Sequence, residues 1–372
     1  MDLTAQHRPI RGEILAAWSR ILDSGAFVSG SEVRGFEEEF AQACGVARCV
    51  AVSSGTDALT LALRALGLQA GDAVILPTNT FIATAEAVSN AGGVPVLVDC
   101  QESSANIDPR QVPEAVTDRV RGVIGVHLYG QPVDFQALND VAANRGLWTL
   151  EDAAQAHLGR CRGRTVGGLG TAAAFSFYPA KNLGAPGEAG AVTTDDAALA
   201  DEVRMLRDHG QRGKYHSELV GYNARMSELV AAALRIKLPL LPEWTEARRR
   251  VAARYRERLA DHPAIALPAE PEWSRAVYHL FVVGVPERDR VKAELEAAGI
   301  GVGLHYPVPV HLQAAYRGLG YRAGDFPRSE RNARSLLSLP MFAELTVDQV
   351  DHVCDTLRRA VDARPAGEVA RG

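Results

Sequence analysis

Residues 49–66 read CVAVSSGTDALTLALRAL: a short apolar run, a break at Ser53-Ser54-Gly55, then a longer stretch with helical spacing. The same alternation repeats downstream. Short β-rich runs at Ala73–Leu76, Val94–Val98, Val123–Val126 and Leu147–Leu150 alternate with helical patterns over Ala83–Ala91 and Phe135–Asn144. Asp57–Leu66 is the first of those helical patterns. Continuous apolar strands separated by helices predict an α/β fold with a mixed, mostly parallel sheet buried on both faces. Ala172–Tyr178 and Ala191–Thr194 read as two further strands.

Upstream, the first 43 residues read as helical segments ending in the amphipathic run Glu32–Ala43. Downstream, the pattern changes near residue 240. A long Arg- and Glu-rich helix spans Pro242–Leu259 and a Pro-rich stretch follows. Then come a strand over His279–Val285, a helix over Asp289–Ala298, an irregular segment Gly301–Tyr321 and a last helix Val347–Val361. This predicts a large domain over 1–240 and a smaller α+β domain over 241–372, with Arg364–Gly372 expected to fray.

Composition narrows the function classes. The 372 residues hold 40 Lys plus Arg against 45 Asp plus Glu, a formal charge of −5, so no broad positive field awaits nucleic acid. Apolar residues make up 47% and charged residues 23%, ordinary for a globular protein and unlike a disordered or collagen-like chain. No apolar run is long enough to span a membrane, and the polar start MDLTAQHRPIRGE lacks a signal-peptide core. The five cysteines form no CxxC pair, which argues against a disulfide framework or a metal site. Cytoplasm is the expected location.

Three motifs carry chemistry. Ser53-Ser54-Gly55-Thr56-Asp57 follows a strand and opens a helix, where unpaired N–H groups and the positive dipole end favour phosphate. The same residues also make a good helix cap. It is neither a GxGxxG nor a GKS/T pattern, which argues against a dinucleotide or P-loop site. Glu151-Asp152-Ala153-Ala154-Gln155-Ala156-His157 follows the Leu147–Leu150 run, at the strand end where α/β folds place ligands. Asp152 there can hold a cationic ring nitrogen, and Gln155 offers a neutral hydrogen bond. Phe175–Gly184 (FSFYPAKNLG) embeds Lys181 among apolar and small residues, five positions after Ser176. Only four lysines occur in the chain, and only this one sits in an apolar, glycine-flanked motif, surroundings that lower an amine's pKa as a Schiff-base lysine requires.

A phosphate cradle, a carboxylate for a pyridinium and a reactive lysine, in that order, are the parts that bind pyridoxal 5'-phosphate. With SGTDAL, PTNTFIATAEAV, HLYGQPVD, EDAAQAHLG, FSFYPAKNLGAPGEAGAV, GYNARMSEL and HYPVPVHLQAAY in sequence, the chain resembles the DegT/DnrJ/EryC1/StrS family of sugar aminotransferases along nearly its whole length. The resemblance implies the aspartate aminotransferase-like fold (pyridoxal-phosphate fold type I). It assigns Lys181 to the Schiff base, Asp152 to the pyridine nitrogen and Gln155 to the phenolic oxygen. Gly55, Thr56 and Ser176 match phosphate positions, and Phe81 the stacking aromatic. Asn223 matches an asparagine that reaches the phosphate from the neighbouring subunit, which implies a homodimer with shared active sites. Ala189 departs from the family's GEGG or GDGG, where Glu188 in place of Asp is ordinary drift, so the loop is altered if residue 189 needs positive φ.

The implied reaction moves the amino group of L-glutamate to a nucleotide-linked keto-sugar. His127, Tyr129 and Gln131, with the segment His305–Gln313, look most like enzymes that aminate C3 of a dTDP-linked 3-keto-6-deoxyhexose. C4 aminotransferases and those acting on a keto-inositol stay as alternatives. A dehydratase on the same fold has histidine for the lysine, and a non-catalytic cofactor-binding protein does not need every catalytic position filled. His305, Tyr306 and His311 are candidate substrate contacts, as are Tyr222 and Arg225, the last suited to phosphate. The Ala and Arg bias points to a high-GC genome and an antibiotic deoxysugar pathway.

Overall fold

The computed structural model describes residues 2–363; the tail Arg364–Gly372 lies outside the described residues. Its centre is a seven-stranded sheet of β1 (Arg48–Val52), β2 (Ala73–Pro77), β3 (Val94–Val98), β4 (Val120–Val126), β5 (Trp148–Asp152), β6 (Ala172–Ser176) and β7 (Gly190–Thr194). The order is β1-β7-β6-β5-β4-β2-β3. All neighbouring pairs are parallel except those of β7, which runs antiparallel to both β1 and β6.

Register positions the site. It sets Val52 opposite Gly190, Gly190 opposite Ser176, Ala174 opposite Asp152 and Asp152 opposite Val126. Three segments far apart in the chain therefore leave the sheet at the same edge: Ser53–Asp57, Asp152–His157 and Phe177–Lys181. That edge is the carboxyl end of the parallel strands, where open α/β sheets bind ligands.

Both sheet faces are covered. One core joins Phe36 and Phe40 of the helix Ser31–Cys44 to Phe175, Phe177 and Phe135. Phe36 packs edge-on to Phe177 and Phe40 edge-on to Phe175, at 5.2 and 4.9 Å between ring centres. The helix Ser31–Cys44 has no side chain of its own at its N-cap. Glu228, some 196 residues away, accepts the amides of Gly30, Glu32 and Val33 instead. The opposite face packs under the helices Gly55–Ala65, Ile82–Asn90 and Ala197–Arg207. A third core gathers Tyr255, Phe281, Leu337 and Leu357.

Several elements differ from the sequence reading. The strand expected over His279–Val285 spans only Phe281–Gly284, because Leu280 N–H turns away to the carbonyl of Tyr129. Its partner Leu336–Leu339 carries no alternating pattern and was not legible. The strand expected to reach Tyr178 stops at Ser176. Helices Ala197–Arg207, Glu228–Lys237 and Pro327–Ser335 were not anticipated. The irregular segment after Gly301 forms short 3-10 turns whose Val310 and Tyr316, with Phe326, join the core on the second sheet face.

Candidate active site

The helix Gly55–Ala65 begins at the edge where β1 ends. The cap reading of its first turn holds, and two of its amides stay open to an anion. Ser54 Oγ caps the helix by accepting Asp57 N–H at 3.0 Å, and the Ser53 and Ser54 hydroxyls donate to Asp57 Oδ2 at 2.5 and 2.9 Å. The hydroxyls of Ser53 and Ser54 are thus committed to Asp57. The Gly55 and Thr56 amides have no acceptor among the described residues and remain available to an anion. A Cβ on Gly55 would lie 2.5 Å from the Cβ of Ser176, so glycine is what lets Ser176 approach this turn.

Asp152 ends β5, buried with 6% exposure. Its Oδ2 accepts from Thr84 Oγ1 at 2.8 Å and its Oδ1 from the amide of Ala154 at 3.2 Å. Burial raises its pKa, while Thr84, the Ala154 amide, Lys181 and His127 pull the other way. Thr84 was not singled out from the sequence, although it lies one helical turn after Phe81 in the quoted PTNTFIATAEAV. Phe81 is 51% exposed at the edge and its ring centre sits 5.3 Å from that of Tyr306, so a broad aromatic face is open to a planar ligand.

Gln155 is oriented at both ends of its amide. Oε1 accepts Tyr129 N–H at 2.6 Å, and Nε2 donates to the Tyr306 hydroxyl at 3.1 Å, leaving its second N–H for another acceptor. Tyr129 holds φ +62°, and its hydroxyl donates to the carbonyl of His305. Burial pushes the Tyr306 hydroxyl up to about 12. Lys181 is partly buried; burial lowers its pKa to about 8, with Asp152 opposing. The neutral amine is therefore far more available than in a surface lysine.

Neighbouring residues divide sharply. Side chains alternate along a strand, so Glu151 points away from Asp152. Glu151 accepts from His127 Nε2 and from the amides of Gly167, Leu169 and Gly170, which makes it a fastener for that loop. His127 Nδ1 accepts Val133 N–H, and Gln131 donates to Ser274 Oγ, so these two brace the turn while Tyr129 faces the site. His157 Nε2 donates to the carbonyl of Ser176, holding Ser176 against the Asp152–His157 turn. The loop departure at Ala189 is harmless: the positive φ in that loop falls on Gly187, at +147°.

The proposed substrate contacts separate as well. Tyr306 and His305 line the site, with His305 Nδ1 held by Ser338 Oγ at 2.8 Å. His311 does not: it is 2% exposed, and its two ring nitrogens meet Thr78 Oγ1 and Glu330. No ring nitrogen is left for a substrate, and its role is to tie the segment after Pro309 to β2. Arg225 donates to Asp208 at 2.7 Å and to Asn223 Oδ1 at 2.7 Å. Asn223 is exposed and its side-chain amide nitrogen points to no partner among the described residues; Tyr222 is partly buried beside it. Ala224 accepts Ser53 N–H, so this stretch lies against the start of the phosphate turn.

Residues 9–358 match the DegT/DnrJ/EryC1/StrS aminotransferase family. The chain belongs to that family. It is a sugar aminotransferase of nucleotide-sugar biosynthesis. The chain is 47% identical to the dTDP-3-amino-3,4,6-trideoxy-alpha-D-glucose transaminase of Streptomyces venezuelae, over 96% of this chain and 94% of that one. It is 41% identical to the UDP-N-acetyl-3-dehydro-alpha-D-glucosamine 3-aminotransferase of Acidithiobacillus ferrooxidans, over 97% of each chain. The crystal structure of S. venezuelae DesV in complex with a ketimine intermediate superposes with a TM-score of 0.95 at 46% identity, covering 98% of both chains. The fold is that of these aminotransferases.

Proposed function

We propose that this aminotransferase moves the amino group of L-glutamate to C3 of a dTDP-linked 3-keto-6-deoxyhexose, with Lys181 as the reacting lysine. The observation that carries the reading is the shared sheet edge. Register brings Lys181, Asp152 and the Gly55–Ser176 contact together although they come from three separate segments.

Pyridoxal 5'-phosphate fits the residues present, and when bound it supplies the electron sink that transamination needs. The free amides of Gly55 and Thr56, with the Ser176 hydroxyl, would hold its phosphate. Asp152, poised by Thr84, would accept the pyridinium N–H, a partner that favours the carboxylate and reverses the effect of burial. Gln155 would donate its remaining N–H to the phenolic oxygen, and Phe81 would cover the ring. Lys181 Nζ takes the proton from the α-carbon of the amino donor and, in the second half-reaction, returns one to the sugar carbon that gains the nitrogen. 2-Oxoglutarate and the amino sugar leave.

The substrate reading is supported by the relatives named for 3-amino sugars on dTDP, and the relative named for a UDP sugar makes UDP the rival carrier. A homodimer is supported by exposed apolar residues near Asn223: Tyr215 at 85%, Val220 at 88%, and Leu219. Asn223 of one copy would reach the phosphate in the other, and Tyr222 and Arg225 would lie beside that shared edge. No helix among the described residues is long and apolar enough to cross a membrane; a cytoplasmic location is part of this proposal.

Absorbance of the loaded enzyme tests the reading. L-Glutamate should bleach the yellow band, and after product removal only the dTDP-3-keto sugar should restore it. Recovery with the 4-keto sugar, or with the UDP-linked one alone, would move the assignment to that substrate. No bleaching would overturn the donor.

A further inference from the structure

The four residues Val277–Leu280 lie where the three hydrophobic cores meet. Val277 is buried in the core of Phe36 and Phe175, Tyr278 in the C-terminal core, and Leu280 packs against the core on the other sheet face. Tyr278 holds φ +46°, a left-handed turn that sends successive side chains in these different directions. On one side, Val277 N–H donates to the carbonyl of Gly130 and Leu280 N–H to that of Tyr129. On the other, Arg248 Nη1 donates to the carbonyls of Tyr278, His279 and Met341 at 3.2, 3.4 and 3.1 Å. Arg248 is 2% exposed; burial lowers its pKa to about 10, and the charge of Glu344 opposes that shift. Burying a guanidinium whose hydrogen-bond partners are carbonyls is costly, and simple packing at this point would be served by an aliphatic side chain.

Two contacts run from this joint to the site. His279 Nδ1–H donates to Asn182 Oδ1 at 3.3 Å, and Asn182 Nδ2 donates to the carbonyl of Val277 at 3.0 Å. The residue that follows Lys181 is thus gripped at both ends of its amide, with 1% exposure. The Tyr129 end of the joint donates its amide to Gln155. A Cβ on Gly130 would lie 2.8 Å from the His279 nitrogen and 3.0 Å from the Gln155 carbonyl, so the turns touch directly.

We propose that His279 and Asn182 are a positioning pair that aims Lys181, with Arg248 fixing His279 to the C-terminal core. The inference rests on Lys181 being the reacting lysine. His279 does not touch the reacting atoms; its ring is buried and held neutral, as are those of His157 and His305, the other imidazoles near Lys181, while Asp152 supplies the negative charge there.

The test compares His279→Leu, His279→Asn and Asn182→Ala with the wild-type holoenzyme. Asparagine places an N–H near the position of Nδ1–H, and leucine does not. His279→Leu and Asn182→Ala should lower kcat about 10-fold to 100-fold, the scale of a small misplacement of a reacting group. KM for glutamate should stay within about threefold, and the pH midpoint of the lysine-bound cofactor absorbance should move. His279→Asn should recover most of kcat and the wild-type midpoint. Unchanged kcat and midpoint in both disabling variants would overturn the proposal. So would a loss that follows the melting temperature and is not rescued by asparagine. Should His279→Leu fail to fold, Asn182→Ala decides alone. A wild-type enzyme with no yellow band would overturn the lysine assignment itself, a different failure.

Discussion

Two lysines in this chain are pulled down to about 8 by burial, and they sit in opposite settings. Lys181 sits at the open sheet edge with Asp152 for company. Lys237 is fully buried, donates to the carbonyl of Gly184 at 2.5 Å, faces His7 Nε2 at 3.2 Å and lies 5.8 Å from the centre of the Trp244 ring. A lowered pKa therefore does not by itself make a lysine reactive. Access does, together with a carboxylate placed for a cofactor. Glu151 and Asp152 repeat the lesson one residue apart: the first is saturated by four donors, the second keeps acceptor capacity on the ligand side.

The largest expected effect separates the lysines by activity. Lys181→Ala should lower turnover by about 10³-fold or more and remove the yellow band, with the melting temperature little changed. Turnover within tenfold of wild type would break the comparison. An amine-directed acylating reagent sharpens it further. In the apoprotein, labelling of Lys181 should rise with a midpoint near pH 8, where a surface lysine would titrate near 10.5, and Lys237 should stay unlabelled until denaturant is added. A peptide map showing equal labelling at neutral pH would refute the difference in access. The same shifts make the protonated form unfavourable in the folded chain. Between about pH 8 and 10.5 the unfolded chain holds the extra protons, so each lysine's burial penalty fades and apoprotein stability rises with pH.

Asp152→Asn should keep the fold and slow turnover about 100-fold, whereas Glu151→Gln should lower stability by about 1–3 kcal/mol because buried donors lose a charged acceptor. Denaturant midpoints and kcat measured on both variants check the split; the reverse pattern would mean the two carboxylates have been assigned the wrong way round. Lys237→Met should cost about 2 kcal/mol by stranding the Gly184 carbonyl, with kcat within about threefold. Smallest of all, Asn223→Ala should weaken cofactor binding about tenfold, and mixed dimers with Lys181→Ala should show that the loss acts across the interface.

Much of this was legible because it is local. Apolar runs announced all seven strands of the sheet, and Ser54-Gly55-Thr56 announced a helix cap with open amides in the same turn. Lys181, Asp152 and Gln155 were identified by motif and all reach one edge. What escaped was contact across long sequence distances. His311, with two nitrogens free on paper, is sealed by Thr78 and Glu330. Thr84 looked like helix composition and proved to orient Asp152. The helix Glu228–Lys237 was missed although its Glu228 caps another helix.

The residues alone determined which chemistry is available: a lysine in an apolar, glycine-flanked motif, an acid at a strand end, a glycine where a helix opens toward an anion. Those are properties of residue type and short spacing. Only the tertiary structure decided which groups remain free to use it. Sheet register sets which strand ends share an edge, and burial sets which polar atoms are already consumed by the protein. Both depend on partners 25 to 233 residues away, whose pairing is chosen by the packing of three cores and leaves no mark on any single stretch of sequence.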